Sequence, residues 1–328
     1  MGWRLQFREQ YSDLQLSTLR QKSAIDAESR LDIAERILAP RTLADVARAD
    51  ALHRLQSRLL EGEASRFARP RSAHTVKGYM RAVLAALNWA HLQGWLETVP
   101  PIRIVKTSKL KAMKGRPITA EEFERMLDKT ASIVGEEAAK SWRYLLRGLW
   151  ESALRVDELM HVSWDEENTI RPIWKPGKLA TLAIPHHKQK NATEEEIPLL
   201  PCFEILLLET PEAERTGWVF NPVSLQTKVG RRVRQKRPDA EWTGKVISRI
   251  GKAAGVIVEQ GNAETGKPKK FASAHDLRRS CADRLLDAGV PPTNIARLLR
   301  HSNWQTTQRY YAMGEVQKDA RIIRELLD

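Results

Sequence analysis

The segment Ser273-Ala274-His275-Asp276-Leu277-Arg278-Arg279-Ser280 reads as the opening of a helix, and it sets His275 and Arg278 three residues apart on one face. An imidazole and a guanidinium so placed can reach one anion near the helix start, where unpaired backbone N–H groups also favour negative charge. Twenty-six residues after His275 stands His301, and nine after that Tyr310, within Leu299-Arg300-His301-Ser302-Asn303-Trp304-Gln305-Thr306-Thr307-Gln308-Arg309-Tyr310-Tyr311. Far upstream, Ser152-Ala153-Leu154-Arg155-Val156-Asp157-Glu158-Leu159 supplies another arginine with a carboxylate three residues on. Taken singly, His275 is an ordinary residue for a helix start and the two tyrosines ordinary core aromatics. As an ordered set they suit chemistry at an anion.

These blocks resemble the two signature boxes of the tyrosine recombinase, or phage integrase, family. The likeness includes the spacing from His275 through His301 to Tyr310 and the layout of the whole chain. In that family an Arg–Lys–His–Arg–His set surrounds a scissile phosphate and a tyrosine attacks it. Carried over residue by residue, the resemblance implies Arg155, Lys190, His275, Arg278 and His301 around the phosphate and Tyr310 as the nucleophile, with no metal ion and no nucleotide cofactor. The chemistry supplies its own reasons for these residue types. In-line attack builds negative charge on the non-bridging oxygens, which planar guanidiniums match with paired donors. A tyrosine hydroxyl, with an ordinary pKa near ~10, needs cations or a base around it to attack at neutral pH. His275 is the candidate for that proton. The leaving 5′-oxygen must gain one, which a lysine on a hairpin can deliver.

In that family the catalytic lysine precedes a Val/Ile-Pro-Leu strand end, so the resemblance implies Lys190, eight residues before Pro198 in Ile197-Pro198-Leu199, with Lys188 as the alternative and Lys175 and Lys178 in the same region. Glu158 is expected to orient the site. The family often has Gly directly before the second histidine and Thr-Gly before Leu-Arg; here Arg300 and Ser152-Ala153 stand instead. Neither departure removes a catalytic group.

Apolar spacing predicts the elements that must carry these residues. Helical patterns recur at Leu31, Ile33, Ala34, Ile37 and Leu38, from Thr42 through Leu52, Leu55 and Leu59, and from Val76 to Ala90. Pro100-Pro101 then opens a stretch to Arg116 without an acidic residue, which reads as an extended basic linker. Thr119-Ala120-Glu121-Glu122 is a capping-box start. Helices follow over roughly 119–133 and 137–161, and the proline-broken region 170–199 is the only strand-like one, with Thr181–Ile184 and Glu196–Leu199 as strands of a small antiparallel sheet. From Cys202 helices resume. The expected architecture is mainly α, a two-domain DNA clamp: a helical core-binding domain over 1–103, a linker over 104–116, and a mostly helical catalytic domain over 117–328 with a small sheet.

Charge fits a polyanionic partner. The net charge is +13, and residues 1–116 hold 21 Lys and Arg against 11 Asp and Glu. Candidate DNA contacts are Arg103, Lys106, Lys109, Lys111, Lys114 and Arg116 in the linker, and Arg231, Arg232 and Arg234 in a basic loop. Cys202 and Cys281 are too few for a disulfide framework, and His161, His186 and His187 lack partners at metal-binding spacing. With no membrane-length apolar run and no apolar signal core at the N-terminus, a cytoplasmic location is expected. Partners implied by the resemblance are double-stranded DNA at attachment or recombination sites, further copies of the chain up to a tetramer on DNA, and accessory DNA-bending proteins. A stripe of Val316, Ala320, Ile323 and Leu327 would offer one helical face that either folds back on its own domain or reaches into a neighbouring copy in such an assembly. Two competing expectations are a DNA-binding regulator, since Leu286–Val290 followed by Ile295–Leu299 resembles a helix-turn-helix, and a type IB topoisomerase.

Overall fold

The computed structural model describes residues 1–62, 70–107, 115–185, 195–223, 237–262, 268–300 and 324. The chain divides into two compact units, Met1–Lys111 and Ala112–Asp328.

The first unit is helical. A π-helical turn, Trp3–Arg8, runs into α1 (Glu9–Leu14), followed by α2 (Gln21–Leu38), α3 (Leu43–Val46), α4 (Ala49–Glu61) and α5 (Ala73–Leu92). Leu52, Leu55 and Leu59 on α4 and Val76, Met80, Val83 and Leu87 on α5 are fully buried, as their three- and four-residue spacing requires. Thr42 and Asp45 close a capping box on α3, and Ser72 caps α5. Phe7 and Tyr11 stack on each other and meet Trp89 and Trp95, so the first turn of the chain seals the far end of α5. Residues after α5 are bound to the same core: Ile102, Ile104 and Val105 pack on it, and Gln56 accepts from the Val105 N–H at 2.8 Å and donates to the Arg103 carbonyl at 3.2 Å.

In the second unit the Arg116 guanidinium forks onto Glu122 at 2.5 and 2.7 Å. Thr119 and Glu122 close a capping box on α6 (Ala120–Val134), which packs on α7 (Glu136–Ser152) with the Phe123 and Trp150 rings stacked at 4.4 Å. A Cβ on Gly148 of α7 would collide with the Phe220 ring, so only glycine fits this approach. The helix expected over 137–161 is two helices. Ala153 turns left-handed at φ 55°, and α8 (Val156–Met160) starts in a new direction. Three antiparallel strands follow in the order β1 (Arg171–Ile173), β2 (Thr181–Ile184) and β3 (Glu195–Pro198), with Leu182 opposite Ile197, both buried. After α9 (Pro201–Leu208) and α10 (Ala240–Ala253) comes a second, two-stranded sheet of β4 (Ile257–Glu259) and β5 (Lys270–Phe271). This corrects the expectation that 170–199 held the only strands. Two- and three-residue strands carry too little alternation to read from sequence. The chain continues through α11 (Ala274–Asp287) and α12 (Pro292–Leu298). Among the described residues no helix is long and apolar enough to cross a membrane.

Candidate active site

Arg155 is the N-cap of α8, and Glu158 reaches back to it twice. The carboxylate accepts from the Arg155 backbone N–H at 2.8 Å and from Nη1 at 2.7 Å. This reciprocal closure, together with the left-handed Ala153, points the Arg155 side chain outward, where 46% of it stays exposed.

Arg278 behaves differently. It is 1% exposed, lies on α11 packed across α7, and donates from Nη1 to the Ala153 carbonyl and from Nη2 to the Leu299 carbonyl, both at 2.5 Å. One buried guanidinium therefore joins the turn just before Arg155 to the chain just before His301, and its Nη1 also lies 3.5 Å from Glu158 Oε2. The planar fork makes this possible, since two carbonyls and a carboxylate can be served by different N–H groups.

Arg300 completes the cluster. Its side chain is 7% exposed, and Nη2 lies 2.5 Å from Glu158 Oε2. Glu158 is thus approached by three guanidiniums. Burial alone would push its carboxyl up; Arg300, Arg278 and Arg155, in that order, outweigh burial and hold it below the usual carboxylate range. Ala153 and Arg300 both have positive φ, 55° and 49°. These are the two positions where the family resemblance led to an expectation of glycine. Each costs on the order of 1–2 kcal/mol relative to glycine, which the packing around them offsets.

His275 sits one residue inside the N-terminus of α11, whose cap is built from Ser273 and the fully buried Asp276. Ser273 Oγ donates to Asp276 at 2.6 Å, Arg279 donates to it at 2.8 Å, and Lys270 Nζ lies 3.1 Å from both of its oxygens. Gly115 at φ 100° passes so close that a Cβ there would fall 2.5 Å from Asp276 Oδ1. Although part of His275 is open to solvent, desolvation by the surrounding protein pushes its pKa down from 6.5 to about 4, with Arg279 and Arg278 acting in the same direction. The imidazole is therefore neutral at physiological pH and can accept a proton.

An NMR titration of the DNA-free protein is expected to give His275 a midpoint well below 6.5, near 4. A bound phosphate, by offsetting the arginines, should move it upward. Because the folded pKa lies below the unfolded one, the associated stability is complete above about pH 6.5 and lost as pH falls toward 4. A midpoint at or above 6.5 in the free protein would overturn the neutral-base assignment.

Of the residues expected at the phosphate, Arg155 and Arg278 are brought together through Glu158, and His275 enters from the same α11 face as Arg278. Lys190, His301 and Tyr310 lie outside the described residues. So do Lys109, Lys111, Lys114, Arg231, Arg232 and Arg234 and the stripe from Val316 to Leu327. Arg103 and Lys106 are exposed, whereas Arg116 is committed to Glu122 and to the Ile257 carbonyl. Sequence reasoning noted Arg300 only as a departure and did not find its contact with Glu158. Lys270 and Arg279 were also missed, for want of any motif linking β5 to α11.

Fold and site together describe a protein in which one carboxylate, Glu158, gathers Arg155, Arg278 and Arg300, with His275 three residues before Arg278 on α11. A model of the phage integrase family matches residues 116–315, and the chain belongs to that family. It is 25% identical over 176 residues to the tyrosine recombinase XerC of Syntrophus aciditrophicus (strain SB), a match covering 52% of this chain and 49% of that one. The chain thus spans about half the length of this curated relative. Its fold is similar to that of lambda integrase, solved as a dimer bound to a COC′ core site (TM-score 0.66, 18% identity, 96% of this chain and 97% of that one). It is also similar to the Tn1549 transposon integrase solved in complex with transposon right end DNA (TM-score 0.63, 16% identity, 98% of each chain).

Proposed function

We propose that the protein is a site-specific DNA recombinase that cuts and rejoins strands through a 3′-phosphotyrosyl link to Tyr310. The Tyr310 oxygen attacks the phosphorus and its proton passes to His275. The bond from phosphorus to the 5′-oxygen breaks, and that oxygen takes a proton from Lys190. Arg155, Arg278 and His301 stabilise the charge that builds on the phosphate. In the reverse step a second 5′-hydroxyl attacks the phosphotyrosine and frees Tyr310. The energy of the phosphodiester is kept in the protein link, so no nucleotide is consumed.

The observation that carries this reading is the Arg278 bridge. It holds the turn before Arg155 and the chain before His301 in one frame, joining the two segments that the family resemblance marks for chemistry. The regulator alternative is disfavoured by the integrase family match over residues 116–315, which takes in the whole of α11 and α12.

The first unit, with Arg103 and Lys106 exposed, is the core-binding half of a clamp, and Lys109, Lys111 and Lys114 extend the contact along the backbone. One protomer occupies each half of a core site, as the lambda dimer suggests, so two sites take four copies; accessory DNA-bending proteins would help bring them together. Such a protein works in the cytoplasm.

The test is a nicked suicide substrate, from which a short strand diffuses after cleavage. A covalent protein–DNA adduct should accumulate in excess EDTA, because the charge-stabilising groups are all side chains. An absolute requirement for added magnesium would overturn the mechanism. Exchange between two such sites would then separate recombination from simple nicking and closing.

A further inference from the structure

We propose that Arg300 is a positioning residue of the cleavage site, a cation that neutralises Glu158 so that Arg155 and Arg278 present undiminished positive charge to the phosphate. The inference rests on the strand-cleavage reading and extends it to a residue which that reading does not use.

Three observations carry it. Arg300 occupies a left-handed backbone position, φ 49°, that glycine would occupy without strain, so the side chain is retained against a conformational cost. That side chain is not a solvated surface group: 7% of it is exposed, and its Nη2 approaches Glu158 Oε2 at 2.5 Å, closer than Arg278 does at 3.5 Å. The approach is a charge contact, since neither Nη2 nor Nε has an aligned hydrogen-bond partner among the described residues. Glu158, finally, is the carboxylate that holds Arg155 by both its backbone N–H and its Nη1.

Charge bookkeeping gives the consequence. Three guanidiniums around one carboxylate leave the cluster at +2, whereas glycine at position 300 would leave it at +1. With Arg300 absent, the Glu158 charge would be answered only by Arg155 and Arg278, the two groups whose attraction the phosphate needs. Arg300 supplies the counter-charge from the end of α12, and it does so one residue before His301. It also explains how a carboxylate can remain ionised beside a site built for an anion.

The experiment compares the full-length parent with Arg300→Gly and Arg300→Lys. Arg300→Gly relieves the left-handed strain but gives up the side chain's packing and its contact with Glu158, so it should stay folded and melt close to the parent, and yet form the covalent adduct on the suicide substrate about tenfold more slowly at unchanged DNA affinity, a loss of about 1.4 kcal/mol in transition-state stabilisation. Arg300→Lys, which keeps the charge, should recover most of the rate. A structural role would move stability and rate together and would not be rescued by charge.

Independently of any reaction, the Glu158 carboxyl, followed by carbon-13 NMR in DNA-free protein, should titrate at higher pH in Arg300→Gly. The cations acting on it are Arg300, Arg278 and Arg155. The helices packed on α8 also carry charges, Arg147 and Glu151 on α7 and Lys245 and Arg249 on α10 among them, and these are the same in both proteins. An unmoved Glu158 titration, or adduct formation by Arg300→Gly at the parental rate, would overturn the inference. A parent that forms no adduct would instead sink the strand-cleavage reading, and the titration would still decide the role of Arg300.

Discussion

Tyr310→Phe is expected to abolish the covalent protein–DNA adduct on the suicide substrate while leaving DNA binding intact. The substitution removes one oxygen and nothing else, so it deletes the nucleophile without changing charge or the shape of the ring. Binding depends on phosphate contacts spread over many basic residues, and loss of one neutral hydroxyl leaves these unaltered. Tyr311→Phe is the control, because the adjacent ring carries the same hydroxyl one residue away. It should keep adduct formation at a rate near the parent's. The assay reads a gel-shifted, protease-sensitive DNA species, and the expected loss runs from most of the substrate to none. If Tyr311→Phe lost the adduct and Tyr310→Phe kept it, the interval counted from His301 would have assigned the wrong tyrosine. If both kept it, the nucleophile would lie elsewhere in the chain.

What was legible before the structure was what is local. The capping box at Thr119 and Glu122 needs only two residues three apart, and both of its hydrogen bonds form. The same holds for Glu158 and Arg155, an interval of three on one short helix. The strands expected at Thr181–Ile184 and Glu196–Leu199, the second observed one residue earlier at Glu195–Pro198, were visible because prolines bracket short runs in which Leu182 and Ile197 face inward.

The break between α7 and α8 was not visible. From Leu145 to Leu159 apolar residues keep helical spacing, and no glycine or proline marks the turn; only tertiary packing holds Ala153 left-handed. Nor could periodicity reveal that Arg278 would be buried. An arginine on a helix reads as an exposed residue, and its burial depends on two carbonyls that arrive from α7 and α12, distant in sequence. The Arg300 contact with Glu158 was missed for the same reason. The charges of the site could be listed from the sequence, but which arginine faces solvent and which braces the frame is a property of long-range packing.

That division sets the expectation for Arg278. Arg278→Ala should slow adduct formation by roughly a hundredfold or more, the scale on which removal of one oxyanion donor acts, and it should do so for two separable reasons. The guanidinium contributes positive charge 3.5 Å from Glu158 and beside Arg155, which a growing phosphate charge would use. It also braces the Ala153 and Leu299 carbonyls, and truncation leaves both without this donor inside the protein. Each buried carbonyl left unpaired costs about 1–3 kcal/mol, so the variant should melt several degrees below the parent. Arg278→Lys separates the contributions. It restores the charge, but a single ammonium lacks the planar fork that serves two carbonyls at once. It should therefore recover only a minor part of the rate and little of the stability. Arg155→Ala gives the contrasting profile, since its side chain is nearly half exposed and braces no backbone carbonyl among the described residues: a comparable loss of rate with a melting temperature close to the parent's. The measurement is the single-turnover cleavage rate per folded molecule, paired with a thermal melt of each variant. Cleavage by folded Arg278→Ala within about threefold of the parent, under half a power of ten or less than about 0.7 kcal/mol, would show that the bridge is a packing device without a part in the reaction.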